Sequence, residues 1–172
     1  MRRFIFTFFS IIISFILQTT VFRYVDLGGI VPNLLIIMTA GFAFMRGDKS
    51  GIWVGFFCGI LVDVFFGTYL GFYALIYMYL GFIVGKFNKI FYPENVLLPL
   101  ALIISSDFLF GFICYCLLFM FRNKFDLHYY MMSVIIPEMV YTTLAALFVY
   151  PILVRMNTYL EEVEERSAKK FV

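Results

Sequence analysis

Residues 51–71 read GIWVGFFCGILVDVFFGTYLG, with a glycine or an aspartate at every fourth position: Gly51, Gly55, Gly59, Asp63, Gly67 and Gly71. A spacing of four stays close to the 3.6-residue turn of an α-helix, so these positions describe one narrow face. The residues between them are almost all apolar or aromatic, which suits a helix in lipid. Lipid gives helices little hydrophobic reason to associate, and small residues let backbones approach until van der Waals packing holds them. The face is therefore expected to touch another helix, either of this chain or of a partner. Gly81 and Gly85 form a second, weaker pair. The break at Gly67 and Thr68 predicts a tight hairpin between two spans.

Outward from this stretch the same character repeats. Six apolar segments are expected, at about 4–22, 30–45, 51–66, 69–85, 96–121 and 129–153. Of the 172 residues 63% are hydrophobic and 14% charged, where a soluble domain carries about a quarter charged residues. Such a chain cannot clothe its core in a polar shell. The expectation is an all-α integral membrane protein: a compact bundle of about six transmembrane helices over 1–154, then a cytoplasmic helical tail over 155–172. A large soluble domain has no room, and the net charge of +2 gives no reason to expect nucleic-acid binding.

The first segment is longer than a signal-peptide core and lacks a small-x-small cleavage site, so it is expected to be retained. Cys58, Cys114 and Cys116 lie in apolar runs as small apolar groups. Cys114 and Cys116, two apart, point about 200° apart on a helix and do not suit a shared metal. Pro32 is tolerable in a first turn, whereas Pro137 and Pro151 should kink or divide the sixth segment.

Alternate loops differ in basic residues. Arg2, Arg3, Arg46, Lys49, Lys86, Lys89, Arg155, Arg166, Lys169 and Lys170 fall on one side, and Arg23, Arg122 and Lys124 on the other. Ten against three places both termini in the cytoplasm and favours an even number of spans. In the tail, Glu161 with Arg166 and Glu165 with Lys169 are near-neighbour pairs expected on a solvated helical face; the alternative is a partner-binding tail.

Three acids, Asp63, Asp107 and Glu138, fall inside spans that contain no Lys, Arg or His to pair with them. Intramembrane acids are expensive and are functional candidates by default. Asp63 lies about 18 Å along its helix from Gly51, toward the outer leaflet, at a depth like that of Gln18, Thr19, Thr20 and Asn33. A hydrogen-bonded cluster of Gln18, Asn33 and Asp63 is expected there. Asp107 and Glu138 fall nearer mid-membrane on neighbouring spans. They are read either as carboxyls bonded to helix ends, Ser105, Ser106 or Tyr141, or as a proton or cation path. His128 is a lone loop histidine. With no metal-ligand spacing, phosphate loop or nucleophile elbow, no catalytic residue, cofactor or metal site is expected. Tyr69, Tyr92, Tyr129 and Tyr130 are expected to anchor span ends at the interface.

The chain resembles the rod shape-determining MreD family. The resemblance lies in Arg2 and Arg3 before a first helix ending Leu17-Gln18-Thr19, in Pro32-Asn33-Leu34-Leu35, and in Arg46-Gly47. It continues in Gly55-Phe56-Phe57-Cys58-Gly59-Ile60-Leu61-Val62-Asp63, Gly67, and Leu70-Gly71-Phe72-Tyr73-Ala74-Leu75. Beyond about residue 90 only the hydropathy matches, so Asp107 and Glu138 are not carried over. The resemblance implies a non-catalytic inner-membrane subunit of the cell-elongation machinery. Its implied company is MreC, the actin-like MreB, and RodA with its partner transpeptidase; a homodimer is also conceivable. It further implies a fold similar to the membrane substrate-binding subunits of energy-coupling-factor vitamin transporters, which carries no function by itself but supplies the alternative of a transporter subunit using Arg23, Asp26, Gln18, Asn33 and Asp63. In the scaffold reading Asp63 holds the third helix to Gln18 or Asn33.

Overall fold

The computed structural model describes residues 2–25, 29–88, 97–119 and 127–169. Asp26, Lys89, Tyr92, Arg122, Lys124 and Lys170 lie outside these, as do the side chains of Arg166, Glu165 and Lys169 from the two expected pairs in the tail, while Glu161 accepts from the Asn157 amide at 3.0 Å. The chain is an all-α membrane protein of six helices. The first, α1, runs over Arg2–Ile16 and continues through a π-helical turn, Leu17–Val21, to Phe22–Tyr24. Then come α2 (Leu34–Arg46), α3 (Asp48–Phe66), α4 (Phe72–Phe87) and α5 (Leu97–Phe119). The last, α6, starts with Leu127–Tyr130, passes a π-helical turn at Met131–Ile135 and continues over Ile136–Lys169.

Four of these helices, α1, α3, α5 and α6, are long and apolar enough to cross a membrane. The other two are shorter, and α2 is the informative one. It has 13 residues, about 20 Å against the roughly 30 Å of a bilayer's hydrocarbon. Every residue from Leu34 to Phe44 is buried, as befits a helix apolar on all sides. Each of the other five helices packs against it. α2 is thus an axle wrapped by protein, and its ends stop inside the molecule.

Around it α3 packs between α1 and α4, and α5 between α4 and α6. Gly47, at φ +87°, turns α2 directly into α3. Its N–H closes α2 on the Ala43 carbonyl at 2.8 Å. The sixth segment is not divided at either proline. Its irregularity is the π-helical turn just before Pro137, where an extra residue lets the backbone step past the ring. Pro151 sits inside an uninterrupted helix.

Candidate functional site

Backbone groups at the ends of a helix enclosed by protein or lipid must find partners other than water, and at the start of α2 Gln18 and Thr142 of two other helices supply them beside Asn33, whose side chain Tyr77 of a third helix holds. Gln18 on α1 accepts from the Leu35 N–H through Oε1 at 3.3 Å. Asn33 accepts from the Ile36 N–H through Oδ1 at 3.2 Å, and the same oxygen accepts from the Tyr77 hydroxyl of α4 at 2.9 Å. The Asn33 N–H donates to Thr142 Oγ1 of α6 at 3.0 Å. The π-helical turn of α1 carries Gln18, and beside it a recess of about 500 Å³ is lined by Gln18, Thr19, Arg23, Gly29, Val31 and Phe66.

Asp63 belongs to a different device. Its Oδ2 accepts from the Gly71 and Ala74 N–H groups at 3.0 Å, and its Oδ1 from that of Tyr73 at 2.9 Å. A carboxylate at the last turn of α3 thus caps the first turn of α4, where unpaired N–H groups and the helix dipole both favour negative charge. The expected cluster of Gln18, Asn33 and Asp63 is therefore two separate caps, and Asp63 is bonded to neither Gln18 nor Asn33.

The spacing-four face divides in the same way. A Cβ at Gly51 would fall on the Gly81 carbonyl, one at Gly55 on the Tyr77 carbonyl, and one at Gly59 on the Ala74 backbone. Gly81 and Gly85 meet Gly51 and the Asp48 backbone in return. This part of the face packs α3 onto α4 within the chain. Gly67 and Gly71 serve the turn: the Gly67 N–H closes α3 on the Val62 and Asp63 carbonyls at 3.0 Å, and Gly71 takes φ +97° with nothing near the Cβ it lacks.

Of the other acids, Asp107 on α5 is 4% exposed and faces Thr142. Among the described residues neither of its oxygens reaches a hydrogen-bond partner. Glu138 on α6 lies beside Asn33 and within electrostatic reach of Asp107. The structure thus brings Asp107 and Glu138 toward the start of α2. Ser105 and Tyr141 are not used there; Ser105 donates to the Ala101 carbonyl at 2.7 Å and Tyr141 to the Val25 carbonyl at 2.8 Å.

The far end of α2 is closed by Arg46, which sequence reasoning counted only as a loop charge and a motif residue, together with Thr7, Asn88 and Asn157, which it passed over. The Asn88 amide donates to the Phe44 carbonyl. Arg46 donates through Nε to Asn157 Oδ1 at 2.6 Å and through Nη1 to Thr7 Oγ1 at 2.8 Å, with its guanidinium 4.7 Å from the Phe42 ring centroid. Polar residues close to the ends of the apolar runs were the signal for Thr7, Asn88 and Asn157. Thr142 gave none, since threonines are common on span surfaces. Among the described residues no cluster of His, Cys, Asp and Glu is arranged to hold a metal, and His128 is exposed.

A family model described as rod shape-determining protein MreD matches residues 2–159. No curated protein and no solved structure matches the chain.

Proposed function

The chain belongs to the rod shape-determining MreD family and so has a role in rod shape determination, and from that premise we propose that it is a non-catalytic scaffold of the bacterial elongation complex. In this role it sits in the inner membrane with both termini cytoplasmic, meets MreC, and helps place RodA, its partner transpeptidase and MreB along the side wall. The carrying observation is the extent of the family match, which covers all six helices up to residue 159. The internal geometry supports the reading. Gln18, Asn33, Asp63 and Thr142 close helix ends, and the glycine face is used between α3 and α4. Partner helices are therefore met by the outer surfaces of the bundle.

Affinity capture of the tagged protein from gently solubilised bacterial membranes, followed by mass spectrometry, tests this. Co-recovery of MreC and the wall synthases is the expected outcome. Recovery of a pair of ATPase subunits with their membrane coupling protein would instead make the chain a transporter subunit that binds a small molecule.

A further inference from the structure

Asp107 stands near the middle of the 23-residue α5, about 15 Å or more of helix from either end. It is buried, and among the described residues neither carboxyl oxygen has a hydrogen-bond partner. Its face of α5 is turned to α6. Gly111, one turn further along that face, lies so close that a Cβ there would stand 3.1 Å from the Ile135 side chain, and Ile135 ends the π-helical turn just before Glu138. Asp107 thus faces Thr142 and lies within electrostatic reach of Glu138. Thr142 Oγ1 uses one lone pair on the Asn33 N–H and has a second to offer. The titratable neighbours of the pair are Tyr77 of α4, Cys114 of α5 and Tyr130 of α6. Among the described residues no basic group faces either acid.

Two neighbouring carboxyls in such a place call for positive charge. An ionised carboxylate withdrawn from water and left without donors is strongly unfavourable, and a second one nearby adds repulsion. Among the described residues the pair is not joined by a third His, Cys, Asp or Glu, as a transition metal would ask. A small hard cation needs only oxygen ligands, which the two carboxyls and the Thr142 hydroxyl supply. Calcium and magnesium take about six or more, beyond what this set offers, so a single charge fits. Ionisable residues within spans mark places where ions bind, and π-helical turns recur at functional sites. We propose that Asp107 and Glu138, with Thr142 Oγ1, form a buried site for one small monovalent cation, sodium or the proton, entered past the half-buried Glu138. The site is independent of which proteins the bundle assembles with.

Thermal unfolding of the purified full chain in one detergent reads the site, because a ligand held only by the folded state raises the melting temperature as its concentration rises. Sodium chloride is compared with choline chloride at equal ionic strength, in buffers of about pH 6 and about pH 8, which span two decades of proton concentration. Where sodium is the cation, it raises the melting temperature saturably by about 5 °C in the more alkaline buffer. Where the proton is, the melting temperature in choline falls by about 5 °C from the acidic to the alkaline buffer, as the ligand is withdrawn, and sodium adds nothing. Either response should be lost in Asp107→Asn and at least halved in Glu138→Gln. It should be kept in Asp48→Asn, whose acid lies in the first turn of α3. Should Asp107→Asn fail to fold, Glu138→Gln at its half-buried position decides. A melting temperature indifferent to both cations would overturn the proposal, as would an undiminished response in either variant of the pair.

Discussion

Gly59 and Gly71 fall on the same line when every fourth residue is marked, yet a methyl group at each meets different physics. At Gly59 the added Cβ runs into the Ala74 backbone, which cannot swing aside as a side-chain tip can. At Gly71 it meets nothing, and the cost is that of a left-handed backbone at φ +97°. Gly59→Ala should therefore cost about 3 kcal/mol or more, at the upper end of overpacking penalties. Gly71→Ala should cost about 1–2 kcal/mol. Thermal denaturation of the purified variants in one detergent compares them. Equal losses, or the greater loss at Gly71, would mean that α3 and α4 do not meet backbone to backbone. The spacing was legible because glycine every four residues says that something approaches closely. What approaches was not, because a turn that needs glycine for its φ and a helix that needs it for contact print the same letter. Asp63 shows the same limit: its three backbone donors follow it by eight to eleven residues, so they lie beyond any helical register that starts from the aspartate itself.

α2 as an element depends on side chains it does not own. Its apolar run was legible from composition, and Asn33 sits where a cap belongs. Its shortness and complete burial follow from the five helices around it, which no local pattern encodes. The shared oxygen of Asn33 makes this testable. Asn33→Ala removes the acceptor for both Ile36 N–H and the Tyr77 hydroxyl, leaving two buried donors unpaired, for about 2–3 kcal/mol. Tyr77→Phe removes only the hydroxyl, for about 1 kcal/mol. The double variant should be less destabilised than the sum by about 1 kcal/mol, because the second change finds the bond already gone. Strict additivity in denaturant titrations would show that the two side chains do not share this bond. The π-helical turns in α1 and α6 lie further from what sequence can tell. Pro137 marked the neighbourhood of one, but Leu17–Val21 contains no proline or glycine to announce the other.

For the whole molecule, the hairpin turns at Gly47 and at 67–71, with α1 packed on both α2 and α3, gather Arg3, Arg46, Lys49 and Lys86 at one end of the bundle and Gln18, Asn33 and Asp63 at the other. Most of the described basic residues thus gather at one end of the body, and from the positive-inside bias we propose that this Arg46 end faces the cytoplasm. Lys49 and Thr68 are both exposed and lie at opposite ends of α3. In a variant without the native cysteines, Thr68→Cys should be labelled in intact cells by a membrane-impermeant maleimide, with outer layers opened where present. Lys49→Cys should be labelled only after the inner membrane is permeabilised. The reverse pattern would turn the bundle over. It would also place the tail of α6 outside, away from an actin-like partner. Labelling of both sites from outside would mean that α3 does not cross the membrane, against its 19 residues and their length of about 28 Å.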